Sequence, residues 1–347
     1  MKAARIHNLG IQNVNIDQID EPICYPDSVK VKIYATSVNH LDLWVTKGIP
    51  GIDIKLPFTL GSDASGMIVE VGRNIQKWEV GDKVIVQPGL YCNDCIYCNS
   101  SRENLCIHYG ILGETHNGTH CEYITLDPKY LYPKFPHLTY NESAAVPLTF
   151  MTAYEMLLVK GKLNKGDNVL IYGATSGVGS AAIKISKSIG ANIFTTVGSK
   201  NKIDFAKECG ADFVFLHDSK LCKKIKNIVD SKGVQLVIEH IGESTWDTSR
   251  KVLSRGGRIV TCGATTGKKV SIDLQHLFYK QQKIIGSTMS SIDSFKKMLN
   301  FINKNLIVPS IDRVFNIDKI NEAYKYILDR KQKGKIVISI DKDSHNK

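Results

Sequence analysis

The chain has 347 residues, of which 43% are hydrophobic and 23% charged, a composition that excludes disorder and predicts about two globular domains. Lys and Arg exceed Asp and Glu by 45 to 34, a net charge of +11, but they are dispersed singly or in pairs, which argues against nucleic-acid binding. No apolar stretch is long enough to span a membrane and the first residues resemble no secretory signal, so we predict a cytoplasmic protein without a membrane partner.

The N-terminal part of the chain predicts short strands separated by turns. The runs are VKVKIYATSV (29–38), GMIVEVG (66–72) and GDKVIVQP (81–88), rich in β-branched residues, and the last two are bounded by Gly or Pro. Strands of this kind are typical of an antiparallel, barrel-like unit. The residue pattern changes from strand-like to helix-like after Pro147, where TAYEMLLVKGKL predicts a helix.

Strand and helix patterns then alternate from residue 168 to residue 288. Helical stretches separate the apolar runs NVLIYG, ANIFTTVG, ADFVFL, VQLVIEHIG, GGRIVTCG and KIIGST. Buried strands joined by helical crossovers predict a parallel, doubly wound α/β sheet. Beyond Ser290 the pattern predicts two helices and a last strand, KIVISI, before a polar tail, DKDSHNK, that we expect to fray.

A glycine-rich loop lies between the first of these strands and the next helix. It reads Gly173-Ala-Thr175-Ser176-Gly177-Val178-Gly179. Glycines let the backbone approach a pyrophosphate closely, and a helix N-terminus offers free N–H groups and the positive end of a dipole. A plain strand-to-helix turn would leave the three clustered glycines without a reason. The order strand, loop, helix, strand therefore predicts a dinucleotide site.

The end of the second strand indicates which dinucleotide binds. Proteins that bind NAD usually place an acid there for the ribose 2′-hydroxyl, whereas this chain has no acid before Asp204. Ser199, Lys200 and Lys202 suit a 2′-phosphate instead, so we predict NADPH. The alternative is that these lysines are merely solvated at a helix start.

Four of the nine cysteines form a cluster of their own. Cys92, Cys95, Cys98 and Cys106 follow the spacing C-x2-C-x2-C-x7-C. Four thiolates make a closed tetrahedral shell, which predicts one structural Zn²⁺ per chain and no open catalytic position. An iron–sulfur cluster and free thiols are the alternatives.

These two motifs in this order resemble those of the zinc-containing alcohol dehydrogenase/quinone reductase superfamily, the medium-chain dehydrogenases/reductases. The similarity runs from MKAARI to GKIVISI and includes GSDASGMIVEVG, AAVPLTFMTAYEML and GGRIVTCGATTG. It implies a GroES-like β-barrel catalytic domain at residues 1–128 and 290–347 and a Rossmann NADP-binding domain at residues 129–289. It also implies that the cysteine lobe at residues 92–106 carries the structural zinc.

The sequence departs from the family where its alcohol dehydrogenases hold a catalytic zinc. The resemblance puts Asn39, Ser62 and Leu148, or a residue beside it, at the three ligand positions. Amide, hydroxyl and alkyl groups do not make a competent zinc site, so we predict no catalytic zinc. Asn39 is similar to the amide of quinone reductases, which implies a donor that orients the substrate or holds an oxyanion. His40 and Thr152 complete the predicted catalytic set, with a wall position and core packing as the respective alternatives.

Further cofactor contacts are expected at the carboxyl ends of the strands, where nicotinamide and ribose bind in such sheets. They are Ile241, Gly242, Gly263, Ala264, Thr265, Ser287 and Thr288. By resemblance, His217 falls where quinone reductases have a phosphate-contacting Tyr, and a surface histidine is the alternative. Cys262 in the same row is most simply a buried thiol.

Without a Lewis acid, alcohol oxidation is difficult, whereas a C=C bond conjugated to a carbonyl can be reduced if hydrogen-bond donors hold the developing oxyanion. We therefore predict an NADPH-dependent reductase of a small-molecule quinone, enone or enoyl-CoA, and the basic charge favours a CoA ester. The alternatives are a zinc-type alcohol dehydrogenase or carbonyl reductase, and a nucleotide-bound non-enzyme similar to the family's lens crystallins. The resemblance also implies a homodimer or homotetramer paired through SIDLQHLFYKQQKIIGST.

Overall fold

The computed structural model of the chain describes residues 1–346, apart from the side chain of Ser231. The chain forms two compact units. The first unit contains Met1–Leu148 and the C-terminal segment from Asn300, and the second contains Thr149–Leu299. The domain boundaries expected from the sequence, at 128/129 and 289/290, stay predictions.

The secondary structure follows in chain order. The strands are β1 (Lys2–Ile6), β2 (Val14–Gln18), β3 (Val29–Val38), β4 (Phe58–Thr59), β5 (Asp63–Val71), β6 (Lys83–Val86), β7 (Gly89–Leu90), β8 (Gly110–Ile111), β9 (Tyr123–Leu126), β10 (Leu131–Pro133), β11 (Asn168–Ile171), β12 (Asn192–Val197), β13 (Phe213–Leu216), β14 (Val234–Glu239), β15 (Leu253–Thr261), β16 (Lys283–Gly286), β17 (Ile311–Asn316) and β18 (Lys335–Ser339). The α-helices are α1 (His40–Lys47), α2 (Tyr140–Ala144), α3 (Pro147–Tyr154), α4 (Gly177–Ile189), α5 (Ile203–Glu208), α6 (Leu221–Val229), α7 (Glu243–Val252), α8 (Leu274–Tyr279), α9 (Ile292–Lys304) and α10 (Ile320–Leu328).

The first unit is built on a mostly antiparallel sheet in the order β10-β6-β5-β3-β18-β17, with β9 also paired to β3. The long strand β3 lies at its centre and pairs antiparallel with β5, β9 and β18. Val29, Val31 and Ile33 alternate along β3 with half-buried lysines, and all three are fully buried in the core of the unit. This arrangement brings the start of β18 beside the end of β3, although the two are about 300 residues apart in sequence.

The second unit contains the parallel sheet that the sequence predicts. Its strands lie in the order β13-β12-β11-β14-β15-β16, with every pair parallel. Residues 169–171 of β11, and Tyr172 directly after it, are fully buried, as expected for a strand covered on both faces. The strand order reverses between β11 and β14, and sheets of this type bind ligands at that point, beyond the carboxyl ends of the strands.

The structure adds detail to two local expectations from the sequence. The helix predicted after Pro147 is α3 followed by a π-helical turn at Glu155–Lys160. Whether the polar tail frays stays a prediction, but within the described residues the tail takes a regular conformation. It forms a 3₁₀ turn at Lys342–His345 that Asp341 caps, with Ser344 fully buried. Among the helices of residues 1–346, none combines the length and the apolar character that a membrane crossing requires.

Candidate active site

The glycine-rich loop (residues 173–179) connects β11 to α4 in the second unit. Gly173 has a φ of +63°, and a Cβ added at Gly179 would lie 2.1 Å from the Gly173 carbonyl oxygen. The Ser176 side chain caps α4 by accepting a hydrogen bond from the Gly179 N–H at 2.9 Å. The loop therefore needs glycine where it is tightest, and it leaves the N-terminus of a 13-residue helix open to an anion. These features fit the pyrophosphate of a dinucleotide.

The turn after β14 is held by a buried carboxylate that the sequence reasoning missed. Glu239 is fully buried and accepts hydrogen bonds from the backbone N–H groups of Ile241 and Gly242, at 2.8 and 3.1 Å. The hydroxyls of Thr245 and Ser249 also donate to it, at 2.9 and 2.7 Å. This carboxylate fixes the Ile241–Gly242 turn at the carboxyl edge of the sheet. An acid at the end of an apolar strand, with a Gly three residues later, is the signal that could have revealed it.

The other predicted cofactor residues of the second unit lie at the same edge or beside it. Ser199 and Lys200 are exposed and Lys202 is half-buried, in the turn that follows β12. His217, after β13, is exposed, and its ring lies edge-on to Tyr172 with 6.2 Å between the ring centroids.

The ends of β15 and β16 complete this edge. The Thr265 hydroxyl lies 3.4 Å from the Ile241 carbonyl oxygen, and a Cβ on Gly242 would lie 3.1 Å from the Cα of Ala264. Ser287 is buried, and within residues 1–346 its hydroxyl has no hydrogen-bond partner, while Thr288 is exposed. Burial raises the pKa of the Cys262 thiol to about 12, consistent with a protonated, unreactive cysteine.

The four clustered cysteines come together in the first unit. The Sγ atoms of Cys92, Cys95, Cys98 and Cys106 all lie within 4.8 Å of one another. Contacts of 3.4 to 3.9 Å join neighbouring sulfurs. A tetrahedral Zn²⁺ with bonds of about 2.3 Å needs sulfurs about 3.8 Å apart, so the cluster fits this ion.

Backbone N–H groups donate to sulfurs of the cysteine cluster, including those of Cys106 and Cys95. The N–H groups of Cys92 and His108 donate to the Cys106 sulfur, at 3.5 and 3.3 Å. The backbone N–H of Cys98 lowers the pKa of the Cys95 thiol to about 6. Among residues 1–346 no other group of three or more His, Cys, Asp or Glu side chains converges in this way.

A buried ion pair occupies the place where the resemblance expects catalytic-zinc ligands. Lys335, at the start of β18, donates to Asp63 Oδ2 at 3.1 Å, Asn39 Oδ1 at 2.7 Å and the Val38 carbonyl at 3.1 Å. Asp63 is fully buried, and it also accepts from Ser37 Oγ at 2.7 Å. All three protons of the ammonium group are therefore used within the fold.

The same network fixes the side-chain amide of Asn39. Lys335 can only donate and the Asp63 carboxylate can only accept, so Oδ1 faces Lys335 and Nδ2 faces Asp63, the latter at 2.9 Å. The second Nδ2 proton makes only a long contact of 3.5 Å to the Ser37 carbonyl. Asn39 is also the N-cap residue of α1, and its backbone N–H donates to Asp42 Oδ2 at 2.8 Å.

The remaining residues of the predicted catalytic region are placed as follows. Ser62 is fully buried, and the Leu148 backbone N–H donates to Asp63 Oδ1 at 2.7 Å. His40 is exposed at the start of α1. Thr152 is buried on α3, in the second unit, whereas Asn39 and His40 belong to the first.

The first unit also contains an apolar cavity of about 220 Å³ that the sequence reasoning missed. Its lining is mostly aliphatic and includes Leu9, from the connection between β1 and β2, and Val45, Ile49 and Ile52, from α1 and the loop after it. Glu114 lies on its wall, and burial raises the pKa of that carboxyl group. The cavity can take a small hydrocarbon group.

Comparisons with known proteins agree with this geometry. Residues 25–136 match the family model described as alcohol dehydrogenase GroES-like domain, and residues 177–304 match the model described as zinc-binding dehydrogenase. The chain is 31% identical to acryloyl-coenzyme A reductase of Sulfurisphaera tokodaii, over 94% of this chain and 96% of that protein. It is 29% identical to crotonyl-CoA carboxylase/reductase of Cereibacter sphaeroides, over 92% of this chain and 81% of that protein. A crystal structure of an NAD-dependent alcohol dehydrogenase is similar with a TM-score of 0.94 and 35% identity, covering 98% of this chain and 100% of that chain.

Proposed function

Because the chain belongs to the zinc-type medium-chain dehydrogenase/reductase superfamily, we propose that it reduces an activated carbon–carbon double bond with NADPH and without a catalytic zinc. Membership establishes an oxidoreductase with a GroES-like domain and a Rossmann sheet. The choice of bond, cofactor and substrate is the proposal.

The observation that carries the proposal is the Asn39–Asp63–Lys335 network. A Zn²⁺ site needs thiolate, imidazole or carboxylate ligands, and Asp63 is the one such group in the network. That carboxylate is already neutralised by the Lys335 ammonium at 3.1 Å. A divalent cation would meet a fixed positive charge there, so polar side chains must replace the Lewis acid.

The chemistry requires little more than a hydride donor and a place for negative charge. When bound, NADPH would supply a hydride to the β-carbon of the substrate, and the π electrons would move to the carbonyl oxygen. We propose that the second Nδ2 proton of Asn39, which has only the long contact to Ser37, donates to that oxygen. The enolate would then take up a proton at its α-carbon, and the exposed His40 is our candidate for the source of that proton.

The cofactor assignment has separate support. The glycine-rich loop fits a pyrophosphate, and Ser199, Lys200 and Lys202 offer a hydroxyl and two cations without an acid at the end of β12. We therefore propose NADPH over NADH. We also propose that Cys92, Cys95, Cys98 and Cys106 hold one structural zinc per chain, for which their sulfur spacing is suited.

The substrate class and the assembly are proposals as well. The relatives include enzymes named for acryloyl-CoA and crotonyl-CoA, and the net charge of +11 favours an anionic substrate such as a CoA ester. At the free edge β16 the neighbouring helix α8 exposes Leu274, Phe278 and Tyr279 by 65 to 69%. These apolar side chains support pairing of two copies through this edge.

Substrate tests separate this function from its rivals. We expect NADPH oxidation with at least one of acryloyl-CoA, crotonyl-CoA, a simple enone and a quinone. Robust aldehyde reduction with no turnover of any C=C substrate would favour the alternative, a carbonyl reductase. The similarity to the alcohol dehydrogenase structure, at 35% identity, supports that alternative. Tight NADPH binding with no turnover of any of these substrates would favour a non-enzyme.

Metal content tests the absence of a catalytic zinc independently. One zinc per chain is the expected result, because the cysteine lobe is a closed four-thiolate site. About two zincs per chain would contradict the account of Asn39, Ser62 and Leu148 as residues that do not bind zinc.

A further inference from the structure

His240 follows β14 directly, at the point where the strand order of the second unit reverses. It is half-buried, and the register of β11 and β14 places it opposite Gly173, the first glycine of the glycine-rich loop. A Cβ added at Gly173 would lie 3.3 Å from Cε1 and 3.6 Å from Nε2 of its ring. The imidazole thus lies against the part of the loop that lacks a side chain.

One hydrogen bond determines which ring nitrogen of His240 carries the proton. Nε2 lies 2.9 Å from the Tyr172 carbonyl oxygen, and a carbonyl can only accept. Nε2 is therefore the N–H of the neutral ring, and Nδ1 is left as a bare acceptor. Within residues 1–346 no group donates to this Nδ1. The adjacent carboxylate of Glu239 cannot do so, and its hydrogen bonds go to the Ile241–Gly242 turn and to α7.

Because Nδ1 of His240 can only accept a hydrogen bond, a ligand that contacts it must supply a donor. A pyrophosphate oxygen has no proton to give at neutral pH, whereas a sugar hydroxyl does. In sheets of this order β11 to β13 bind one mononucleotide half and β14 to β16 the other, with the pyrophosphate at the loop after β11. A side chain at the end of β14 beside that loop would therefore face the ribose of the second, nicotinamide-bearing half of a bound dinucleotide.

We infer that His240 Nδ1 accepts a hydrogen bond from a hydroxyl of the nicotinamide-side ribose and so helps to select a complete dinucleotide over its adenine half. The inference rests on the proposed binding of NADPH. It concerns binding alone and assigns His240 no part in proton transfer.

The first test compares two ligands on two proteins. Dissociation constants are measured for NADPH and for 2′,5′-ADP, which lacks the nicotinamide half, on the wild type and on His240→Phe. Loss of one neutral hydrogen bond should weaken NADPH binding about fivefold and leave 2′,5′-ADP binding unchanged. An unchanged affinity for NADPH, or an equal loss for both ligands, would overturn the inference.

A second measurement uses the wild-type protein, in case the Phe variant does not fold. The ¹⁵N resonance of His240 Nδ1 should move to lower frequency when NADPH is added and should stay in place with 2′,5′-ADP. A resonance that does not respond to NADPH would overturn the inference. Failure of the proposed cofactor is a different result, since the wild type would then bind no NADPH at all. Failure of the proposed double-bond reduction would appear only in the substrate assays and would leave both binding measurements unaffected.

Discussion

Substitution of Lys335 by Met removes one partner of the buried ion pair and keeps most of the side-chain volume. The ammonium group makes three hydrogen bonds, and both its own side chain and that of Asp63 are almost completely buried, with 4% and 0% exposed. Removal of one partner of such a pair costs about 3–5 kcal/mol, because the other charge stays buried without compensation. Asp63 keeps donors in Ser37, Asn39 and the Leu148 N–H. We therefore expect the free energy of unfolding to fall by about 3 kcal/mol, near the lower end of that range.

Urea unfolding measures this loss. In a Trp246→Phe background the tryptophan fluorescence comes from Trp44 and Trp78, both in the first unit with Lys335. The free energy of unfolding should fall for Lys335→Met.

The matched control is Lys2→Met. Lys2 pairs with Asp318 at 2.9 Å, but its side chain is 36% exposed, so its loss should leave the stability almost unchanged. In a double variant with Asp63→Asn both charges are gone, and the combined loss should be smaller than the sum of the single losses by about 1–3 kcal/mol. If Lys335→Met were no more harmful than the Lys2 control, or if the two losses were additive, the reasoning about a buried pair would be refuted.

Three further predictions concern the zinc lobe, the glycine-rich loop and the cavity. Cys106→Ser should abolish zinc binding and lower the melting temperature, whereas Cys121→Ser, at a buried cysteine outside the lobe, should leave the zinc content at one per chain. Loss of metal from both variants would contradict the assignment of the zinc to the four clustered cysteines. Gly179→Ala should abolish NADPH binding measured by fluorescence titration, because its Cβ would meet a carbonyl oxygen of the same loop at 2.1 Å. The control Gly198→Ala, with nothing within 4 Å of its Cβ, should fold normally, and undiminished NADPH binding by Gly179→Ala would count against a tight loop. Burial raises the pKa of Glu114 above its unfolded value, so this carboxyl stabilises the fold when protonated, below the unfolded pKa, and that contribution is lost as the pH rises through the folded pKa. Glu114→Gln should therefore be more stable than the wild type at pH 7, and urea titrations at pH 4 and pH 7 should show the difference growing with pH; a constant difference would be contrary evidence.

The parts of the fold that could be predicted from the sequence are those that depend on residues close together in the chain. Six apolar runs separated by helical stretches give the parallel sheet, because strands covered on both faces must be apolar along their whole length. The cysteine spacing likewise predicts the convergence of four sulfurs, since all four lie on one short loop.

What the sequence could not predict depends on contacts between distant residues. Asp63 and Lys335 are 272 positions apart, and only the pairing of β18 with β3 brings the lysine to Asn39. The one local hint is that each charge is the first residue of a strand whose next four residues are uncharged. The conformation of the C-terminal tail escaped prediction for a similar reason, because a hydrogen bond from the Tyr140 N–H to the Asn346 carbonyl, at 3.1 Å, joins it to a distant segment.

The central claim is that hydride reaches a carbon–carbon double bond at a site where side chains replace a metal. Crotonaldehyde offers both a C=C and a C=O bond in one molecule, so the position of deuterium transferred from NADPH labelled at C4 decides between them. The account predicts butanal with deuterium on the β-carbon, C3. Crotyl alcohol with deuterium on C1 would contradict it and would return the protein to the carbonyl-reducing alcohol dehydrogenases.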